Sequence, residues 1–276
     1  MVTICTDSCA DLSAALLEEY QIKVIPLQVL VAGMNIKDGD MSLEELFASV
    51  VRTGQLPKTA APSVADFVEF FTGRDEIVFI GISEKLSATL QSASLAVEEL
   101  KEQKIFVVDS KNLSTGIGLL ALKAADLRDK GLDAEKIAAE LKGMTDRVRT
   151  SFVIDTMEYL YKGGRCSGLQ ALAGSLLQIR PIITVQEDGT LGVKHKIRGT
   201  RGKALNTMLE DFKSDLPGVD LQRVFVTHTN CPEDANFLVE ELQKLAPIEK
   251  ILITTAGATI ASHCGPKTIG ILYMKA

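Results

Sequence analysis

The chain has 276 residues, 24% of them charged and 46% hydrophobic, with a formal net charge of −6. This length suffices for one large domain or two modest ones, and the acidic balance argues against a general affinity for nucleic acid. Aromatic residues make up 5% and tryptophan is absent, so stacking platforms for single-stranded bases are not expected.

The N-terminal segment MVTICTDSCADL has no basic region followed by an apolar stretch, so no secretory signal is predicted. The longest apolar run, VIPLQVLVAGM, is interrupted by Pro26, Gln28 and Gly33 and is too short to cross a bilayer. The five cysteines are odd in number and show no CxxC spacing, which favours reduced thiols. These features together predict a cytoplasmic protein.

The first half of the chain alternates strand patterns with helical patterns. Helical spacing follows each of the β-branched runs VTICTD, IVFIGIS and KIFVVDS, which predicts βαβ units and a parallel sheet. One helix is predicted from Ser114 to Lys130, where Gly131 can end it. A second is predicted over DAEKIAAELKGMTDRVR with Asp133 as its N-cap.

The pattern changes near residue 150. A strand is predicted at SFVIDT, a helix at GLQALAGSLL, and two strands in IRPIITVQEDGTLGVKHKIRG, joined at Asp188-Gly189, whose tolerance of positive φ suits a hairpin. Then follow a strand RVFVTHT, a helix PEDANFLVEELQKL, a strand KILITT and a closing strand TIGILYM. The expected fold is α/β with two domains: a parallel-sheet domain over residues 1–150, and an α/β domain containing an antiparallel hairpin over residues 151–276.

Hydroxyl side chains follow the ends of three predicted strands: Thr6 and Ser8, then Ser83 and Ser87, then Ser110. Because the carboxyl ends of parallel strands meet at one edge of a sheet, these side chains are expected to converge on one crevice. Helix caps and Asx turns account equally well for each of them taken singly. If they converge, neutral hydroxyls and helix N–H groups suit a carboxylic or anionic head group.

Signatures of nucleotide and metal binding are not found in the sequence. YKGGRCSG lacks the Gly-Lys-Ser/Thr ending of a Walker loop, no GxGxxG follows the first strand, and no GxSxG marks a nucleophile for a triad with His195, His228 or His263. The HxxC of His228 and Cys231 and the adjacent pair His263-Cys264 match no common zinc module. Neither a cofactor nor a metal is expected, and His263, at a predicted turn, is a candidate neutral hydrogen-bond partner.

The segment VKHKIRGTRGK concentrates five basic residues between Lys194 and Lys203 in an acidic chain. A solvated face is the usual explanation for such a run. A docking surface for an acidic partner or a phosphate is the alternative, and Arg165, which follows Gly163-Gly164, is a further candidate for it.

Seven segments, in this order along the chain, resemble the bacterial DegV family: TDSCADL, KTAAPS, ISEKLSATLQSA, VVDS, LYKGGR, IRPI followed by G.L....K.RG..KA, and HCGPKTIGI. Members are fatty-acid-binding proteins that serve as the lipid-presenting subunit of fatty acid kinase. The resemblance spans nearly the whole chain and implies two α/β domains with a long acyl chain buried between them or within the first. It also implies that the carboxyl head group is held by Thr59, Ser87 and His263.

The same resemblance assigns ligand-binding positions to Pro62, Ser63 and Ala88, and a contact with the partner or with the transferred phosphoryl group to Arg165 and Arg198. This chain departs from the family pattern at Ala88, where the family usually has Gly, and in KTAAPS, where Ala-Ala replaces the usual Ser-Gln. The residues implied for the head group are present.

The implied partners are a long-chain fatty acid and the ATP-binding subunit of a fatty acid kinase, with transient contact with a membrane left open. In this interpretation the protein forms no bond itself and presents the carboxyl group to the kinase. The alternative is a small-molecule hydrolase or transferase that acts on a carboxylate or a phosphate in the same crevice.

Overall fold

The computed structural model describes residues 2–165 and 179–276. The predicted helix GLQALAGSLL lies outside these residues. The described strands are β1 (Val2–Asp7), β2 (Ile22–Ile25), β3 (Gln28–Val31), β4 (Met34–Lys37), β5 (Lys58–Ala60), β6 (Glu76–Gly81), β7 (Lys104–Asp109), β8 (Val148–Val153), β9 (Ile179–Val185), β10 (Leu191–Arg198), β11 (Val219–His228), β12 (Lys250–Thr255) and β13 (Ile269–Lys275). The described α-helices are α1 (Ala14–Glu19), α2 (Leu43–Thr53), α3 (Val64–Phe71), α4 (Thr89–Glu99), α5 (Thr115–Asp129), α6 (Ala134–Lys142), α7 (Glu158–Lys162), α8 (Arg201–Asp215), α9 (Pro232–Leu245) and α10 (Ala258–Cys264).

A four-stranded sheet in the order β2-β1-β6-β7 forms the centre of the N-terminal half, and every pair in it is parallel. Its strands are nearly continuous apolar runs because helices cover both faces. Ile117 of α5 packs on one face, and Phe67 of α3 and Ala93 of α4 pack on the other. The predicted parallel βαβ arrangement is confirmed.

The second sheet has the order β10-β9-β8-β13-β11-β12. The predicted hairpin is confirmed: β9 and β10 pair antiparallel, the Gln186 amide donates to the Thr190 carbonyl at 2.8 Å, and Gly189 has a φ of 83°. Strand β13 runs antiparallel to both of its neighbours, β8 and β11. The C-terminal half is therefore a mixed sheet with α8 and α9 packed on one face.

Two predictions of helix position were wrong. The helix that begins after Asp133 ends at Lys142 rather than continuing to residue 149, because Gly143 is a poor helix former and β8, from Val148, pairs with β13. His263 lies in the last turn of α10 and not in a turn between two elements; the turn begins only at Gly265, which has a φ of 78°.

A three-stranded antiparallel sheet in the order β4-β3-β5 was not predicted. Together with α2 it forms an insert, residues 28–60, between β2 and α3. The alternation of buried Val29 and Val31 with Leu30, which is 45% exposed, turns one face of this sheet inward. That face packs on Ala258 and Ala261 of α10. The insert thereby connects the N-terminal half to a helix of the C-terminal half.

One hydrophobic core is shared by the two halves. It contains Ile4 of β1 and Leu120 of α5 together with Phe152 of β8, Phe225 of β11 and Leu272 of β13. Two cavities lie beside α10 and the residues that directly precede α5. Division of the chain into independently folding domains near residue 150 stays a prediction.

Candidate functional site

Two adjoining cavities lie between the halves of the protein. The first is lined by Leu27, Thr59, Ile82, Leu86, Ser87, Leu113, Leu160, Arg165, Leu191, Thr259, Ile260, His263 and Cys264. The second is lined by Leu113, Ser114, Thr150, Phe152, Thr227, His228, Thr229, Ala256, Ile260, Cys264, Thr268, Gly270 and Leu272. Leu113, Ile260 and Cys264 line both, so the two cavities are immediate neighbours.

Five polar side chains of the first cavity come from four different segments, because Thr259 and His263 both lie on α10. Thr59 is the middle residue of β5, with exposed neighbours on either side, so strand alternation turns it inward. Ser87 lies in the loop between β6 and α4, and Arg165 follows α7. His263 lies in the last turn of α10. No local stretch of sequence contains this group; the packing of the insert, α7 and α10 assembles it.

His263 is the centre of the polar group. Its Nε2 lies 2.7 Å from Oγ1 of Thr59, and its buried Nδ1 has no partner among the described residues. Burial, with a further contribution from the positive charge of Arg165, lowers the pKa of His263 to about 4. The imidazole is therefore neutral at neutral pH. In the tautomer with the proton on Nε2, the imidazole donates a hydrogen bond to Oγ1 of Thr59. The Thr59 hydroxyl can then donate a hydrogen bond of its own to a ligand carboxylate.

Arg165 is held by two carbonyl groups. Its Nε donates to the Leu86 carbonyl at 3.2 Å, and its Nη1 donates to the Gly163 carbonyl at 2.6 Å. Burial lowers its pKa, yet an arginine stays charged under ordinary conditions. Among residues 2–165 and 179–276 no carboxylate forms an ion pair with it, so the guanidinium is a cation at the cavity without an acidic partner.

Gly163 contacts both of these residues. A Cβ placed on Gly163 would lie 2.4 Å from Nδ1 of His263 and 2.7 Å from the Tyr159 carbonyl, distances at which atoms overlap. Its own carbonyl accepts the hydrogen bond from Arg165. The absence of a side chain at this position is what lets the imidazole ring pack here.

Ser87 precedes α4, as expected. Its Oγ lies 2.8 Å from Oγ1 of Thr89 and accepts from the Thr89 amide at 3.3 Å. The N-cap position of α4 is held by Ala88, which cannot cap with its side chain. Ser87, the residue before the N-cap, therefore accepts the hydrogen bond of the first helical amide, that of Thr89. Ser87 also lines the first cavity.

The predicted convergence of all strand-end hydroxyls was wrong for four of them, none of which lines either cavity. Each bonds within the protein instead: Thr6 donates to the Ile80 carbonyl, Ser8 to Asp38, Ser83 to the Gly189 carbonyl and Ser110 to the Asn112 carbonyl. A local turn explains Ser110, and hydrogen bonds to distant segments of the protein explain Thr6, Ser8 and Ser83. Only Ser87 among them faces the candidate site.

Four residues assigned by resemblance lie away from the cavity lining. Ser63 is the N-cap of α3, where its side chain and that of Asp66 form a capping box. Pro62 is buried beside it, and Ala88 is exposed. Arg198 is an exposed residue at the end of β10. Ligand or partner contacts of these residues stay predictions.

The second cavity contains several hydroxyl groups, and each already has a partner in the protein. Ser114 donates to Asp11, Thr150 to Asn112, Thr229 to the Gly265 carbonyl and Thr268 to the Cys264 carbonyl, while Thr227 bonds Thr115 and Thr254. A ligand carboxylate, which can only accept, would have to displace one of these bonds. The second cavity therefore suits a hydrocarbon, and the polar contacts are concentrated in the first.

Metal ligation finds no support in the described part of the chain. No group of three or more His, Cys, Asp or Glu residues there is placed to hold an ion. The HxxC pair is used structurally, because the Cys231 amide donates to Nδ1 of His228 at 3.4 Å. In addition, none of the described helices combines the length and the apolarity needed to span a bilayer.

Comparison with known proteins identifies the family. Residues 1–276 match a family model that is described as uncharacterised protein, DegV family. The chain belongs to the DegV family. A DegV domain-containing protein of Caldanaerobacter subterraneus is 33% identical over 99% of this chain and 98% of its own length.

DegV structures have the same architecture. A fatty-acid-binding DegV protein from Thermus thermophilus is 32% identical, with a TM-score of 0.92 over 100% of this chain and 99% of its own. The fatty acid kinase B3 protein of Streptococcus pneumoniae, loaded with linoleic acid, has a TM-score of 0.88 over 100% of both chains. Its identity is 24%, so this match shows the fold. The α/β fold predicted by resemblance to the DegV family is confirmed.

Sequence reasoning missed most of the cavity wall. Leu113 and Ile260 carry no motif of their own, and Cys264 was noted only as part of HCGPKTIGI and of the His263-Cys264 pair. That these three residues line both cavities is visible only in the folded protein. Sequence reasoning also assigned Arg165 to a contact with a partner or with the transferred phosphoryl group, and it did not predict that Arg165 and His263 line the same cavity. The pairing of Thr59 with His263 was implied by resemblance alone.

Proposed function

We propose that this protein binds a long-chain fatty acid, with the carboxyl group in the first cavity and the acyl chain continuing into the second. The adjacency of the two cavities, which share Leu113, Ile260 and Cys264, carries the proposal. Neutral and cationic donors, Thr59, Ser87, His263 and Arg165, are concentrated in the first, and the second offers no hydroxyl without a partner. A DegV protein from Thermus thermophilus described as binding fatty acid supports it.

The energetics of such a ligand suit this division. Burying roughly fourteen methylenes at about 0.8 kcal/mol each contributes on the order of 11 kcal/mol before the cost of ordering the chain. Hydrogen bonds to the carboxyl group add about 1 kcal/mol each. The tail therefore supplies most of the affinity, and the head-group contacts fix the direction in which the ligand enters.

A direct test combines extraction with titration. Protein purified from a bacterial host should contain a fatty acid in about one-to-one ratio by mass spectrometry. Delipidated protein should bind free acids more tightly than their methyl esters, and Thr59→Val and Ser87→Ala should reduce that preference because a carboxyl partner is lost. Absence of lipid in the extract, together with no uptake by delipidated protein, would contradict the proposal.

We further propose that the bound carboxyl group is presented to an ATP-binding kinase subunit. The ordered motifs shared with the DegV family support this, as does Arg165, whose guanidinium is suited to paired contacts with a carboxylate or phosphate. Arg198 is the proposed docking residue outside the cavity. Arg198→Ala should leave fatty-acid affinity unchanged and reduce acyl-phosphate formation with kinase and ATP, whereas equal rates would place docking elsewhere.

The hydrolase alternative has one feature in its favour, the 2.7 Å contact between a hydroxyl and an imidazole. However, a general base is most effective with a pKa near the working pH, and the pKa of His263 is about 4. Its Nδ1 also has no partner among the described residues to orient it. Turnover of short-chain esters that is lost in Thr59→Val would favour the hydrolase.

A further inference from the structure

Gly270 occupies an unusual place for a glycine. It lies in β13, a strand paired on both edges, directly opposite Phe152 of β8 and Thr227 of β11. A glycine inside a central strand weakens it, since glycine loses more conformational freedom on folding and adds no side chain to the packing. Where such a glycine is present, it commonly marks a site that another group approaches closely.

The missing side chain of Gly270 lies on the cavity side of the sheet. Ile269 and Ile271 belong to the core under α8 and α9, so alternation directs position 270 to the opposite face, as it does Leu272. Gly270 lines the second cavity and not the first. It therefore lies beyond the junction that Leu113, Ile260 and Cys264 form between the two cavities.

There is little room to spare around this position. A Cβ on Gly270 would lie 3.0 Å from the Ser151 carbonyl oxygen, 3.1 Å from Cβ of Phe152 and 3.4 Å from Cδ1 of Leu272. One added carbon therefore requires its neighbours to shift by a few tenths of an ångström, and a branched side chain would have to project into the cavity.

We propose that Gly270 determines the length of acyl chain that the protein accepts, with Phe152 and Leu272 beside it bounding the end of the cavity. This inference rests on the proposed fatty-acid binding. Carbons near the methyl end of the chain occupy the space that a side chain at position 270 would take, and a larger residue here selects shorter acids.

The test is a titration of delipidated protein with saturated fatty acids of 12 to 20 carbons. Gly270→Ala and Gly270→Val should weaken binding of the longest acids, by about fourfold for each methylene no longer buried. The shortest acids should bind as they do to the native protein. The preferred length should therefore decrease, and further for Val than for Ala.

Leu272→Ala provides the opposite change and remains informative if a variant at position 270 fails to fold. It enlarges the same end of the cavity, so the preferred length should increase. Gly202→Ala in α8 is the matched control, because a Cβ there meets nothing within 4 Å, and its length profile should equal the native one.

The two proposals fail in different ways. If the native protein binds no fatty acid of any length, the proposed function is overturned, and the length inference falls with it. If the native protein binds these acids but the Gly270 and Leu272 variants keep its length profile, or lose affinity equally at every length, only the length inference is overturned.

Discussion

At the scale of single residues, His263 shows how burial decides the chemistry of a side chain. Its ring sits between Thr59 and Gly163, next to the guanidinium of Arg165. Desolvation and the neighbouring cation both disfavour the imidazolium, so the group acts as a neutral partner. A neutral imidazole can help to orient a carboxyl group while Arg165 supplies the positive charge.

The first prediction concerns acid stability. The pKa of His263 is about 4 in the folded protein against an ordinary value of 6.5. Between these values the unfolded chain binds a proton that the folded protein does not, so stability present at neutral pH is lost as the pH falls from about 6.5 towards 4. Replacing His263 with Gln should therefore reduce the loss of unfolding free energy between pH 7 and pH 4.5 in urea titrations.

Comparison with the native protein isolates this contribution. Asp7, whose pKa burial raises to about 6, contributes the opposite slope, and it is common to both proteins. His195, a partly exposed residue beside Asp211, provides the control substitution His195→Gln. An equal acid loss in the native protein and in His263→Gln would show that the imidazole is protonated in the folded state.

A second prediction uses Gly163. Gly163→Ala should push the imidazole away from Thr59 and weaken binding of a free fatty acid by about 1 kcal/mol or more, with a smaller effect on the methyl ester. Titration calorimetry measures both, and the imidazole NMR signals of His263 should shift. In a His263→Ala background, where the ring is gone, the same glycine change should have little further effect on acid binding; an undiminished effect would contradict a role through the ring.

At the scale of secondary-structure elements, a serine near the start of a helix either stabilises the helix as a cap or faces the candidate site. Ser42 and Ser63 each form a capping box, with Glu45 and Asp66 respectively. Ser87, also beside a helix start, faces the cavity. Sequence patterns of the form Ser-x-x-Glu or Ser-x-x-Asp identify the caps, whereas the direction of Ser87 depends on the neighbouring elements.

The third prediction separates these roles. Ser63→Ala should lower the free energy of unfolding by about 1 kcal/mol, because a capping box is lost, and should leave fatty-acid affinity unchanged. Ser42→Ala is the matched control and should lose a similar amount of stability. Denaturation and ligand titration on the same samples give both quantities. Loss of affinity in Ser63→Ala alone would place Ser63 at the ligand, as the resemblance implies.

At the scale of the whole molecule, polar contacts join the two halves in addition to the shared core. Arg223 of β11, which is 8% exposed, donates to both oxygens of Asp126 of α5 at 2.6 and 2.8 Å. It also donates to the Tyr20 hydroxyl at 3.3 Å. Because the core and this cluster cross the boundary, the two halves should unfold together.

The fourth prediction tests this coupling. Arg223→Met should destabilise the protein by about 3 kcal/mol, because it leaves the Asp126 carboxylate largely buried without its partner. Urea denaturation should still show one transition. The double variant Arg223→Met, Asp126→Leu should recover much of the stability, since the unpaired charge is removed. Two separate transitions in the native protein would contradict a shared core.

The parallel sheet, the β9–β10 hairpin and the family could be predicted from the residues alone. Apolar runs, helix periodicity and an Asp-Gly turn act over short distances and are visible in the residues. An insert whose strands are three or four residues long carries a weaker signal, although Ala32-Gly33, both with positive φ, form the kind of turn that joins such strands.

The site, in contrast, is assembled only by tertiary packing. Thr59 and His263 are 204 positions apart, and their contact exists because the insert packs on α10. The same packing helps to bury the imidazole, and this burial lowers its pKa. The cavity at Gly270, a residue that local sequence marks only as an unfavourable choice for a strand, is likewise lined by residues from both halves of the chain. Short-range propensities specify the elements, but the volume and electrostatic environment between them depend on side chains that come from both halves of the chain.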